Sequence, residues 1–231
     1  MIKRTIQNCC NAWAKWRRAF PSNSRNKFDR YVKNFKPDAV LCTHFLPLEL
    51  LGLLYEKEKL PSPFIASIVT DFEAHALWMN GCVNLYCVAA EETKSRLVAR
   101  GVTAGNVVAT GIPIAAKFSS QPDVEIVQKN YGLRDDQPVL LVLSGGFGMG
   151  PVAEILAELD KVKGTFQIIV VAGRNEELRR ELATQNRRHP THVLGFSTNM
   201  HELMAVADLI ITKPGGLTTS ESLAMGKPLL I

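Results

Sequence analysis

No stretch of this 231-residue sequence approaches the roughly 18 uninterrupted apolar residues that a membrane-spanning helix needs. The N-terminus also lacks the apolar run and small-residue cleavage site of a signal peptide, so the expected location is the cytoplasm. Cysteine is scarce. Cys9, Cys10, Cys42, Cys82 and Cys87 are odd in number and show no paired CxxC spacing, which argues against both a disulfide framework and a zinc site. They read as reduced, mostly buried thiols. Acid is nearly missing from the front end: residues 1–36 hold ten Lys/Arg against a single acid, Asp29. The remainder carries 17 basic (27 − 10) and 21 acidic (22 − 1) residues, a net of −4, so the formal charge of +5 comes from the front alone.

Within that basic front, Ile2, Ile6, Cys9, Trp13, Trp16 and Phe20 recur at alternating steps of four and three, one apolar stripe on a helix. Lys3, Arg4, Lys15, Arg17 and Arg18 lie largely off it. Such a helix either rests on an anionic membrane surface or packs its stripe on its own domain. Nucleic acid is not the expected partner, because no recognition module is visible.

With 46% hydrophobic and 21% charged residues, the chain can bury proper cores. Short apolar runs at 38–42, 64–69, 84–88 and 106–109 alternate with helical patterns at 48–59 and 91–100. Residues 119–137 are polar, and a linker with a short helix is expected there. The alternation then restarts, with strands at 139–143, 167–171, 192–194, 209–211 and 229–231 and helices at 152–162, 176–188, 200–207 and 217–225. This pattern predicts an α/β protein with two Rossmann-like parallel-sheet domains, over 1–118 and 138–231. Both ends read as cut, because a new strand has barely begun at 228–231 and the first domain opens without the usual strand and glycine turn.

Two strand-turn-helix passages carry the chemistry. In the segment 208–226, a buried strand runs into Pro214-Gly215-Gly216, a run of hydroxyls and a lone acid, Glu221. The open N-terminus of the following helix favours an anion, and side-chain-free glycines let a phosphate come close, so a pyrophosphate is the expected guest. Glu221 is either a ligand group or a favourable first-turn acid. The passage 140–151 repeats this logic with Ser144-Gly145-Gly146-Phe147-Gly148, although GGxGxG is not the dinucleotide spacing GxGxxG. Ligands of open α/β sheets gather at the carboxyl ends of the strands, where both turns fall. Asp71 and His75 follow the strand ending near Val69; they are a base and its orienter for a hydroxyl, or a helix cap and a surface histidine. No DxD-type acid pair sits at a strand end to hold Mg²⁺.

In order along the chain, DAVLCTH (38–44), VTDFEAHALW (69–78), TGIPI (110–114), LSGGFGMGP (143–151), AGRN (172–175), GFSTNM (195–200) and TKPGGLTTSE (212–221) resemble the monogalactosyldiacylglycerol synthases and processive diacylglycerol glucosyltransferases of glycosyltransferase family 28. The resemblance covers about residues 28–231. It implies the GT-B architecture and an inverting transfer of a hexose from UDP-galactose or UDP-glucose to diacylglycerol, without a metal or other cofactor. By the same resemblance Gly215, Gly216 and Leu217 would offer amides to the UDP pyrophosphate, with Thr218 and Ser220 nearby, and Glu221 would accept the ribose hydroxyls. Phe196 and Ser197 would hold the uracil, Arg174 would stand near the phosphates, and Ser144, Gly145, Gly146, Phe147 and Gly148 would face the donor. Arg174 is otherwise a plain surface arginine.

On the acceptor side the resemblance makes Asp71 and His75 catalytic and puts Trp78 beside the lipid; an ordinary core tryptophan is the other reading of Trp78. It turns the front helix, with Trp13 and Trp16, into a peripheral anchor on anionic lipid at the inner membrane face. The family's N-terminal GGGH-type loop is absent from residue 1 onward, as is the segment that follows Ile231, so this chain by itself is expected to be a fragment. Two rivals stand beside this reading: a transferase for polyprenyl-linked peptidoglycan precursors, and a non-catalytic UDP-binding remnant.

Overall fold

The computed structural model describes residues 22–231, apart from 59–62, 121, 147 and 149. The expected front helix, with Trp13 and Trp16, and Phe147 of the first glycine turn lie outside the described residues. The chain divides into two compact units, residues 1–113 and 114–231.

The first unit has helix α1 (Ser22–Phe35), strand β1 (Ala39–Cys42), α2 (Phe45–Glu58), β2 (Phe64–Ile68), β3 (Leu85–Val88), α3 (Glu91–Ala99) and β4 (Val107–Ala109). All pairings are parallel, in the order β1-β2-β3-β4. Parallel strands need both faces covered. Leu48, Leu51 and Leu54 of α2 accordingly pack with Ile65, Val88 and Leu97 in one core. Helix α2 starts three residues earlier than its leucines alone suggest. Pro47 falls in the first turn, where a missing N–H costs nothing, and His44 Nδ1 accepts the Leu46 N–H at 3.1 Å. Cys42 is buried and Cys82 half-buried, and burial pushes both thiols up to about 11.

The second unit runs α4 (Val124–Tyr131), β5 (Val139–Leu143), α5 (Val152–Leu159), β6 (Gln167–Val171), α6 (Glu176–Thr184), β7 (Thr191–Leu194), α7 (Met200–Val206), β8 (Leu209–Thr212), α8 (Gly216–Ala224) and β9 (Leu229–Leu230). Its sheet is again parallel, in the order β7-β6-β5-β8-β9. The division falls at 113/114, not at 118/119. Residues 119–137, expected as a linker with a short helix, carry α4, which Asp123 caps by accepting the Glu125 and Ile126 amides at 3.1 and 3.2 Å. Phe118 and Val127 join Leu141, Leu203 and Met204 in the unit's core. Buried Gln167 of β6 ties the segment down through the N–H and C=O of Arg134, at 2.7 and 2.9 Å.

Helix α6 ends at Thr184, short of the expected 188. Asp160 draws the next residues off the helical path: its carboxylate accepts from Arg187 Nη1 at 3.1 Å and from the Arg188 N–H at 3.0 Å.

Candidate functional site

The strand order decides where the second unit can hold a ligand. From β5 the chain moves outward to β6 and β7, then returns to the other side of β5 as β8. The switch point therefore lies between β5 and β8, whose last residues Leu143 and Thr212 are in register. Ligands of open parallel sheets bind beyond the carboxyl ends at such a switch. Both glycine turns follow these two strands.

A cavity of about 120 Å³ opens there, lined by Leu143, Gly145, Gly146, Val171, Gly173, Phe196, Ser197, Met200, Met204, Thr218 and Glu221. It brings together Gly145, Gly146, Phe196, Ser197, Thr218 and Glu221 of the residues singled out in the sequence. Its lining combines buried apolar side chains, Leu143, Val171 and Met204, with the polar groups of Ser197, Thr218 and Glu221, the usual mix of a small-molecule site. The Arg174 guanidinium carbon stands 5.0 Å above the Phe196 ring, close enough for a cation–π contact.

The first glycine turn interlocks with residues 172–175. Gly145, Gly148 and Gly173 have φ of +77°, +65° and +62°, a region that disfavours side chains. A methyl on Gly148 would come within 2.3 Å of Ala172 O, and one on Gly173 within 2.5 Å of Gly145 O. Gly148 therefore serves close backbone packing against that turn. Ser144 lies deeper than the sequence suggests. It is 2% exposed, and its hydroxyl donates to Val171 O at 2.7 Å, so that hydrogen is already spent.

The second turn works differently. Gly215 precedes α8 in extended conformation and supplies no side-chain cap. A serine or aspartate there would satisfy the first free amides itself; glycine leaves them to a ligand. Leu217 is largely exposed, and half-buried Ser220 does not line the cavity. Glu221 is half-buried one turn into α8. Burial raises its carboxyl above the ordinary glutamate range, and the Lys117 ammonium pulls it part of the way back. Lys117 donates to Thr198 O at 2.8 Å, which holds its charge at this rim. The sequence reading missed Lys117, and a single lysine in an apparent boundary segment carries no signal of its own.

In the first unit Asp71 and His75 also come together. Asp71 Oδ2 accepts the Trp78 indole N–H at 2.8 Å and lies 3.6 Å from His75 Nε2. His75 Nδ1 accepts the Leu77 N–H at 3.3 Å, so a neutral imidazole carries its proton on Nε2, facing the carboxylate. Trp78, expected beside a lipid, is only 1% exposed and packs edge-on against Phe45 at 5.9 Å. It is a core tryptophan whose polar edge fixes Asp71, because an indole N–H brought out of water needs an acceptor. His44, at the neighbouring strand end, lies tilted against Phe45 with ring centroids 4.2 Å apart.

Glycine turns at the switch point of a parallel sheet, beside this cavity, mark the second unit as Rossmann-like, and it follows another parallel α/β unit. Residues 12–114 match the family model of monogalactosyldiacylglycerol (MGDG) synthase, and residues 139–231 match that of the glycosyltransferase family 28 C-terminal domain. Each match falls almost wholly within one of the two units.

Among curated relatives, a processive diacylglycerol beta-glucosyltransferase of Staphylococcus epidermidis is 33% identical over 208 residues, covering 89% of this chain and 52% of the relative. One of Bacillus pumilus is 31% identical over 207 residues, 89% of this chain and 53% of the relative. The chain spans about half the length of the curated relatives it matches. The fold recurs in a UDP-GlcNAc 2-epimerase from Neisseria meningitidis, with TM-score 0.65 and 16% identity over 91% of this chain and 63% of that one. It recurs also in Acinetobacter baumannii MurG, with TM-score 0.53 and 19% identity over 88% of this chain and 55% of that one. These set the two units in the GT-B class of fold.

Proposed function

We propose that the whole protein is an inverting glycosyltransferase that moves a hexose from a UDP-sugar to the hydroxyl of diacylglycerol. The observation that supports this most is the cavity at the β5/β8 switch point, beside the open amides that begin α8 and the half-buried Glu221 carboxylate. A uracil suits the apolar wall beside Phe196 and Ser197, and the Glu221 carboxylate suits a ribose diol, since it accepts two donors at once. Glucose is the hexose we assign, on the names of the relatives.

The acceptor oxygen attacks the anomeric carbon, the bond from that carbon to the diphosphate breaks, and UDP leaves with the electron pair. Attack opposite the leaving group turns an α-linked donor into a β-glycoside, in accord with the "beta" of the relatives' names. The hydroxyl proton passes to Asp71, the acceptor-side base in this reading, while His75 orients it. Charge developing on UDP is met by the amides before α8 and not by a metal ion. The protein works on the inner membrane face, docked through residues 1–36. Among the described residues no helix is long and apolar enough to cross a membrane.

Titration with UDP, followed by an assay with labelled UDP-glucose and UDP-galactose on vesicles holding diacylglycerol, tests the reading. The expected result is UDP binding by the chain and a β-glucolipid from the whole protein. Absence of UDP binding overturns the donor assignment; binding without lipid labelling from either sugar overturns the transfer.

A further inference from the structure

We propose that Lys213 is a positioning residue that holds the diphosphate of the nucleotide at the switch point. This rests on reading the cavity as a nucleoside diphosphate site. Lys213 follows Thr212, the partner of Leu143 across the β5/β8 pair, so it stands level with the start of the first glycine turn. A methyl built on Gly145 would meet Lys213 Cε at 2.8 Å and Nζ at 3.1 Å. The end of the lysine side chain therefore lies over Gly145, whose missing side chain leaves room for it. Gly145 itself lines the cavity.

The exposed lysine makes no ion pair with any carboxylate among the described residues. The other lysine near this site, Lys117, donates to Thr198 O and acts on Glu221. A lysine acts on a phosphate as a compact charge with three rotatable donors, whereas backbone amides give direction without net charge. Lys213 supplies the neutralisation that glycine amides lack, from the loop that leads into them.

Titration of the 231-residue chain with UDP and with uridine, for wild type, Lys213→Gln and Lys213→Arg, tests the assignment. Lys213→Gln is expected to weaken UDP about tenfold or more, the scale of one charge-assisted hydrogen bond. Uridine affinity stays at the wild-type value, which also reports an intact fold, and Lys213→Arg keeps most of the UDP affinity. Added salt weakens UDP more in wild type than in Lys213→Gln. Equal UDP binding by wild type and Lys213→Gln overturns the proposal, as does an equal loss of UDP and uridine. Wild type that binds uridine but gains nothing from the diphosphate overturns this assignment alone. Wild type that binds neither overturns the nucleotide reading and this one with it.

Discussion

Glu221 has to be ionised to accept two ribose hydroxyls, yet its half-buried place on α8 raises its carboxyl pKa, with Lys117 opposing the rise. The sign follows. The carboxylate form binds, so UDP affinity falls as pH drops through the raised value, beginning at higher pH than for an exposed glutamate. Titrating UDP against pH in wild type and Glu221→Gln reads this: the wild-type curve bends and the variant is weaker and flat. Lys117→Met removes the opposing charge and moves the wild-type bend to higher pH. Wild type and Glu221→Gln binding alike at neutral pH would remove Glu221 from the site. Both carboxylates that matter, Glu221 and Asp71, could be picked from the letters beside a strand end. Their partners could not. Lys117 and Trp78 reach them through the fold, 104 and 7 residues away in sequence.

The elements carry a second set of expectations. Gly173 sits where a methyl would press within 2.5 Å of Gly145 O at φ +62°. Gly173→Ala is expected to lose about 1–3 kcal/mol of stability, read by urea unfolding. Because the same contact shapes the first glycine turn, UDP binding should weaken in the folded fraction. A variant as stable as wild type would mean that the two turns are not interlocked. The strands were legible because buried parallel strands read as short apolar runs, and Val139–Leu143 and Gln167–Val171 match the expectation residue for residue. Helix ends were less so. Helix α6 stops early because Asp160, in the turn after α5, holds Arg187 and Arg188, a competition no local pattern records.

At the scale of the molecule, residues 114–231 hold cores of their own, one around Leu141 and Met204 and one around Leu156 and Ile168. Residues 114–231 expressed alone are expected to melt cooperatively and bind UDP. A version starting at 138 strips Phe118 and Val127 from that core and removes Arg134, the partner of Gln167, and should melt several degrees lower or fail to fold. Equal melting of the two would return 119–137 to the status of a linker. The ten cations within residues 1–36 carry the other expectation: vesicles with anionic lipid should retain the chain more than neutral ones, and less as salt rises. Equal retention removes the docking role.

The sequence by itself determined the alternation of strands and helices, the two parallel units and the positions of both glycine turns. Apolar periodicity and glycine punctuation are local properties that survive in one dimension. Only the tertiary structure decided which glycines leave space for a neighbour, that Ser144 and Trp78 are buried, that 114–137 belongs to the second unit, and that Lys117 and Lys213 stand beside the cavity. Those facts depend on strand order and on contacts between residues far apart in the chain, which folding sets and no short motif contains.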